Sequence, residues 1–380
     1  MITLLFFILI LLVIYPYGIY PLILIGLSAI RPRKVAPETQ TPSISLIISA
    51  FNEEAVIRRK LDNTLNLDYP KDRLEIIVAS DNSTDKTDEI VRSFSNRGVV
   101  LIALPHRQGK TAGLNHAVRR AKGEIIVFSD ANAIYERLTL KKMAGVLGDP
   151  KIGLVTGTTK YMTQGNGKLI ELSHMYTRLE HFIKRLESRL GSCVGADGAV
   201  FAIRKSLYQP LTSEDINDFV VPLKVVQQGY RAVLDEDLIC TEETSQDQKG
   251  EFRRQIRITN RTLRAIFRHT ELMNPLKFPV FSFLLISHKI IRFCVPLFLL
   301  ILFPFNVLLL TWGVIYKLLL MGQVLFYTAA FIGFCDNRVS ARTSSFSLFY
   351  QFVIVNLSML VGWGKFLSGQ KDVTWNPERG

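Results

Sequence analysis

The chain has 380 residues, 48% of them hydrophobic and 21% charged, with a formal net charge of +13. This mixture excludes disorder, a collagen-like fibre and a small disulfide scaffold, and predicts membrane-spanning segments joined to a water-soluble part. Residues 1–30 carry no charged side chain. Without a basic n-region or a small-x-small cleavage site, they read as an uncleaved transmembrane anchor rather than a signal peptide. Between Phe293 and Cys335 the only charge is Lys317, and Phe346 to Gly364 again has none, which leaves room for three more spans of about 20 residues each. The chain therefore divides into an anchor (1–30), a soluble domain (31–250), basic amphipathic interfacial helices (251–292), three transmembrane helices (293–366) and a tail (367–380). Arg31-Pro32-Arg33-Lys34, Lys289 with Arg292, and Arg338 with Arg342 flank the spans, and basic flanks mark the cytoplasmic side. The soluble domain is thus expected in the cytoplasm, on an integral protein of the plasma membrane. Lys365, Lys371 and Arg379 in the tail argue against the outside location that four spans would give it.

Within the soluble domain, Ser43 to Ala50 is short, apolar and rich in β-branched isoleucine, as a buried strand should be. Glu53 to Leu65 reads as a helix, Leu74 to Ala79 as a strand and Thr87 to Phe94 as a helix. Val99 to Leu104, Thr111 to Ala121, Glu124 to Ser129 and Leu138 to Leu147 continue the alternation. Alternating strands and helices imply crossover connections and a mostly parallel sheet, an α/β fold. Asn52 and Glu53 follow the first strand, Asp81 the second and Asp130 the fourth. All fall on the carboxyl edge of the sheet, where open α/β sheets bind ligands.

Asp130-Ala131-Asn132 offers hard oxygen ligands suited to Mg2+ or Mn2+ bridging a diphosphate. Asp81 to Asp85 is read either as a turn with a helix cap at Ser83 or Thr84, or as a contact to base or ribose. Gly109-Lys110-Thr111 looks like the end of a P-loop, but the position of that motif's first glycine holds Leu104, so the motif fails. Lys110 is left either as a phosphate ligand or as a solvated helix start. Gly195-Ala196-Asp197-Gly198-Ala199 is a small-residue loop ahead of the apolar Val200 to Ile203, either a plain turn or a place for close substrate approach. Glu214, Asp215 and Asp218 lie ahead of a helix expected from Leu223 to Gln228, and one of them is a candidate general base. Arg253, Arg257, Arg261, Arg264 and Arg268 share one helical face, with Arg254 beside them. That face is either solvated or set against anionic headgroups or a diphosphate. Cys193, Cys240, Cys294 and Cys335 have neither zinc nor redox spacing and read as reduced structural thiols. No nucleic-acid-binding motif accompanies the basic charge.

In this order, the motifs resemble the membrane-bound family 2 glycosyltransferases, the group containing cellulose, chitin and hyaluronan synthases. The resemblance runs from about Ser43 to Arg257 and implies a GT-A-type nucleotide-sugar-binding domain. Ser49-Ala50-Phe51-Asn52-Glu53-Glu54 resembles the opening nucleotide-binding segment, Asp81 the base-contacting aspartate, and Asp130-Ala131-Asn132 the metal-binding DxD with Asn132 in place of its second acid. The resemblance makes Asp218 the implied catalytic base, Gly195, Ala196, Asp197 and Gly198 the acceptor loop, and Arg254 and Arg257 the diphosphate partners. Ala50, Asn52, Glu53, Asp81 and Lys110 would hold the nucleotide. Arg254-Gln255-Ile256-Arg257-Ile258 departs from the processive members' Q/R-x-x-R-W motif by carrying Ile258 where they have tryptophan. The implied activity is inverting transfer from a nucleotide-sugar, expected to be a UDP-sugar, to a growing glycan, with Mg2+ or Mn2+ as cofactor. Single transfer to a polyprenyl-phosphate or other lipid acceptor, and a non-catalytic glycan-binding or nucleotide-sugar-binding regulator, stand as alternatives. Membrane lipids are expected partners and nucleic acid is not.

Overall fold

The computed structural model describes residues 2–29, 41–165, 168–172, 175–243, 248–339 and 346–372. Arg31 to Lys34, Arg342 and Arg379 lie outside the described residues. The chain begins with α1 (Ile2–Ile14) and, after a π-helical turn at Tyr15–Ile19, α2 (Tyr20–Ser28). The expected alternation follows as β1 (Ile44–Ala50), α3 (Ile57–Leu65), β2 (Leu74–Ser80), α4 (Thr87–Arg92), β3 (Val99–Ala103), α5 (Lys110–Arg120), β4 (Ile125–Asp130), β5 (Ile134–Tyr135) and α6 (Thr139–Val146). Then come β6 (Ile152–Gly165), β7 (Lys168–Leu172), α7 (Met175–Leu190), β8 (Phe201–Arg204), α8 (Asn217–Gln227), β9 (Arg231–Glu243) and α9 (Gln248–Arg268). The remaining helices are α10 (Pro279–Leu285), α11 (Ile291–Leu308), α12 (Val314–Val339) and α13 (Ser347–Leu367). The contacts define two compact units: Leu24–Gln246 with Arg264–Leu284, and Met1–Ile23 with Asp247–Leu263 and Leu285–Lys371.

The first of these units is built on a nine-stranded sheet ordered β3-β2-β1-β4-β8-β6-β9-β5, with β7 paired to β6. β1 is parallel to β2 and β4, with Ile44 opposite both Leu74 and Ile125. β2 is likewise parallel to β3. This register aligns the carboxyl ends of β1, β2 and β4, so Asn52, Asp81 and Asp130 share one edge, as the pattern predicts. β1 is buried along its whole length, because helices cover both faces of a parallel sheet. β8 then runs antiparallel between β4 and β6, and the long β6 pairs with β9 in parallel. The apolar core runs under β1, β2 and β4 and includes Ile48, Val78, Val127, Tyr135 and Cys240.

Among the described residues, four helices are long and apolar enough to cross a membrane: Ile2–Ser28, Pro279–Leu308, Val314–Cys335 and Ser347–Leu367. The second begins at Pro279, ahead of the Phe293 expected from charge. Lys289 and Arg292 interrupt the uncharged run without interrupting the helix, which passes through them by way of a π-helical turn at Ile286–Ile290. In the unit holding most of these spans, Phe6 and Leu9 pack with Leu302, Leu309 and Tyr316, and the Trp363 indole donates to the Phe293 carbonyl at 2.8 Å. Thr259 of α9 lies so near α13 that a Cβ on Gly362 would come within 2.7 Å of it. The neighbouring Arg261 is only 6% exposed. The arginine face of α9 is therefore not uniformly solvated.

Candidate active site

At the end of β1 the chain turns through Asn52 in the left-handed region, φ 53°, and the equivalent turn after β2 uses Asn82, φ 59°. Asparagine tolerates this conformation better than most residues. Each turn is tied to the other: the Thr84 amide donates to the Asn52 Oδ1 at 2.8 Å, and the Asn52 amide donates to the Ser83 Oγ at 3.1 Å. Ser83 and Thr84 thus brace the β1 turn and do not cap α4, which starts later, at Thr87. The Glu53 amide, on a buried residue, donates to the Thr87 Oγ1 at 2.7 Å.

Asp81 is 5% exposed. Its Oδ1 accepts from the Gln108 amide at 2.7 Å and its Oδ2 from the Gly109 amide at 2.9 Å. Its own amide donates to the Ala50 carbonyl at 3.0 Å. Asp81 therefore shapes the loop leading into α5, and each oxygen keeps a lone pair for a further donor. Arg107 sits over the Phe51 ring at 3.9 Å and 4.0 Å from the Asp81 carboxylate. This makes a flat cationic and aromatic surface at the mouth of the turn, which no motif in the sequence announces.

Lys110 is not a solvated helix start. Its ammonium donates to the Asp130 Oδ1, which also accepts from the Ser49 hydroxyl at 3.1 Å. Burial by itself would depress the lysine, but the Asp130 carboxylate together with Asp218 and Glu242 outweighs this, and its pKa is raised. Both bonds fall on Oδ1 and leave Oδ2 clear of them. Behind the turn, the Ala133 amide donates to the Asp130 carbonyl at 3.2 Å. The fully buried Lys60 donates to the Ala133 carbonyl, and its ammonium lies 4.0 Å from the Tyr135 ring centroid.

Among the described residues no three His, Cys, Asp or Glu side chains converge as a metal cage. The donor set of Asp130 Oδ2 and the Asn132 amide oxygen still fits Mg2+ or Mn2+. Such ions typically take one or two protein oxygens and complete their shell with phosphate and water.

α8 begins at Asn217, so Asp218 is in its first turn and not ahead of it. Helix-start carboxylates are favoured by the backbone dipole, yet this one serves poorly as a cap: its Oδ1 is buried without a hydrogen-bond partner. Burial raises its pKa, against the pull of Lys110 and Lys184. The neighbouring loop is fitted to it. Gly195 has φ +95°, and a Cβ on Gly198 would stand 3.2 Å from the Asp218 Oδ2. The Ala196 amide donates to the Asp218 carbonyl at 2.6 Å. Asp197 spends both carboxylate oxygens on Thr159, at 2.9 and 2.8 Å, and so anchors the loop to β6. Glu214 and Asp215, the other base candidates, both pair with Arg268. Of the three acids, Asp218 is the one with a bare buried oxygen.

Lys184 of α7 joins this group without having been singled out by any motif. It donates to the Ala196 carbonyl at 3.1 Å. Burial lowers its pKa, but Glu180 and the neighbouring aspartates outweigh this, for a net rise. A signal was present in Glu180, Lys184 and Glu187, which recur at helical spacing on an amphipathic segment. Arg254 and Arg257 belong to the other compact unit, where Arg254 pairs with Glu251 at 3.0 Å.

Residues 45–211 match the model of the glycosyl transferase family 2. A β-monoglucosyldiacylglycerol synthase from Nostoc sp. is 33% identical over 137 residues, covering 34% of this chain and 29% of that protein. A poly-β-1,6-N-acetyl-D-glucosamine synthase from Staphylococcus aureus is 26% identical over 205 residues, covering 52% and 49%. The chain spans less than half the length of these curated relatives. A mannosyltransferase from Pyrobaculum calidifontis, solved with GDP-Man and Mn2+, superposes with a TM-score of 0.76 at 21% identity, covering 98% of this chain and 100% of that one. The fold is accordingly GT-A-like.

Proposed function

We propose, from the match of residues 45–211 to glycosyl transferase family 2, that the chain is an inverting glycosyltransferase. It moves one sugar from a UDP-sugar to a glycan acceptor at the cytoplasmic face of the plasma membrane. The observation that carries this reading is the Asp218 carboxylate, with a bare buried Oδ1 and a raised pKa, fitted against Gly198 and within the electrostatic reach of Lys110 and Asp130. A carboxylate so placed takes the proton of the acceptor hydroxyl. The hydroxyl oxygen attacks the anomeric carbon from the face opposite the nucleotide, the bond from that carbon to the diphosphate oxygen breaks, and the nucleoside diphosphate departs.

Asp81, Asn52 and the Arg107–Phe51 surface hold the nucleoside, and Lys110 supplies positive charge to the diphosphate. Glu53 and Ala50 act through backbone bonds that shape the same turn. The family resemblance alone assigns Arg254 and Arg257 to the diphosphate. Asp130 and Asn132 would hold Mg2+ or Mn2+, which neutralises charge on the leaving group.

Two observations favour a second reading, a single transfer to a lipid acceptor: Ile258 stands where processive members carry tryptophan, and one relative is named for a diacylglycerol product.

The test is release of nucleoside diphosphate by the full chain in lipid, across a panel of UDP- and GDP-sugars, with Mn2+, Mg2+ or chelator. The expected result is metal-dependent release from one donor, with a product linkage of the opposite anomeric configuration to the donor's. Retained anomeric configuration would overturn the inverting assignment, and turnover in chelator would remove the metal.

A further inference from the structure

The turn that carries Asp130 and Asn132 is held from behind by α3. That helix sets Lys60 and Asn63 one turn apart on one face, and both reach the segment after β4. Lys60 is fully buried, and its ammonium donates to the Ala133 carbonyl and faces the Tyr135 ring at 4.0 Å. Asn63 spends both ends of its amide on the Tyr135 backbone, each at 2.9 Å. Tyr135 is buried and directs its hydroxyl at two carbonyls, Phe128 of β4 at 3.1 Å and Ala199 at 2.8 Å. Ala199 ends the loop whose Gly198 lies against the Asp218 carboxylate, and its amide donates to the Asp197 Oδ1 at 3.1 Å. One ring therefore links the turn on the donor side to the loop on the acceptor side.

The carbonyl and the ring that meet Lys60 are both uncharged, and taking an ammonium out of water is costly. A methionine of similar length would fill the same space without that cost, so packing does not account for the lysine. What the lysine adds is a donor fixed at the residue after Asn132. Groups that support metal ligands and reacting side chains from behind set their orientation. Tyr135 is placed for a related task. Phenylalanine would fill its place in the core, and the hydroxyl adds the bridge between Phe128 and Ala199.

We propose that Lys60 and Tyr135 are positioning residues for sugar transfer. Lys60 holds the turn from Asp130 to Asn132 in the shape that takes the metal and the diphosphate. Tyr135 ties that turn to the loop from Gly195 to Ala199 and so fixes the distance over which the acceptor hydroxyl attacks. The inference rests on the transferase reading.

The test uses the full chain in lipid and compares wild type with Lys60→Met and Tyr135→Phe. Three quantities are read: Mn2+ binding with UDP or GDP present, by electron paramagnetic resonance; turnover at saturating Mn2+; and thermal unfolding. Lys60→Met should weaken Mn2+ binding about tenfold, the loss typical when a group behind a metal ligand is removed, while melting no lower than wild type at pH 7. Tyr135→Phe keeps the ring beneath the ammonium, so its Mn2+ binding should stay within about twofold of wild type. Its turnover should fall about tenfold, because a misplacement of about 1 Å costs about 100-fold and a smaller shift costs less. A merely structural role would lower the melting temperature and move both functional quantities together in each variant, and that pattern would overturn the proposal. So would wild-type Mn2+ binding in Lys60→Met or wild-type turnover in Tyr135→Phe. Wild type without turnover would count against the transferase reading instead. Mn2+ binding would then still decide the part of Lys60, and its absence in wild type would overturn that part as well.

Discussion

Replacing Asp218 by asparagine keeps the shape of the side chain and removes its ability to take a proton. A positioned general base contributes roughly 10²–10⁴-fold to rate, about 3–5 kcal/mol of barrier. The turnover number for sugar transfer should fall by that factor. The KM for the donor should hold, because the nucleotide is assigned to Asn52, Asp81 and Lys110 and the metal to Asp130. Stability should move the other way. The pKa of Asp218 is raised by burial, so the folded state holds this proton more tightly than the unfolded chain does. The stability it contributes is complete below the unfolded pKa and is lost as pH rises through the folded value. Above that folded value the ionised carboxylate, with one bare buried oxygen, opposes folding. Asp218→Asn should melt no lower than wild type, and the acid limb of the wild-type pH–rate profile should lie above the ordinary aspartate range. The assay is nucleoside diphosphate release with saturating donor and acceptor, read beside thermal unfolding of the same preparations. A variant that keeps more than about a tenth of wild-type turnover would refute the base assignment.

Gly198→Ala should act on the same carboxylate from the other side. Its Cβ would lie 3.2 Å from the Asp218 Oδ2, forcing a shift of a few tenths of an ångström. Since a misplacement of about 1 Å costs about 100-fold, turnover should drop about two- to fivefold with donor KM unchanged, and unaltered turnover would show that the carboxylate has slack. Lys60 offers a pH test of the fold. Burial lowers its pKa from 10.5 to about 8, so the charged form destabilises the folded state, by about 3 kcal/mol below a pH of about 8. That cost fades as pH rises from about 8 towards 10.5. The wild-type melting temperature should therefore gain over this window relative to Lys60→Met, and parallel pH curves for the two proteins would refute the lysine's role.

Much of the first four strands was legible because a buried parallel strand leaves a local mark, a short β-branched run such as Ile44 to Ile48 ended by a polar turn. The carboxyl edge of the sheet followed from that alternation, and Asn52, Asp81 and Asp130 with it. The spans were legible for a similar reason, since a bilayer demands long uncharged runs. That rule also hid the start of the second span, where Lys289 and Arg292 sit inside the helix.

Pairing was not legible. That Lys110 meets Asp130, that Arg268 takes Glu214 and Asp215 while Asp218 keeps a bare oxygen, and that Lys184 reaches the Ala196 carbonyl all join residues 12 to 54 positions apart. Hydrophobic periodicity reports which face of an element is buried, not which charged group the chain's return path will set beside it. The sequence determined the residue types at the sheet edge and the presence of the spans. Only the tertiary structure decided which carboxylates are paired and which keeps a bare buried oxygen, because that depends on side chains brought together by crossovers whose geometry no local pattern encodes.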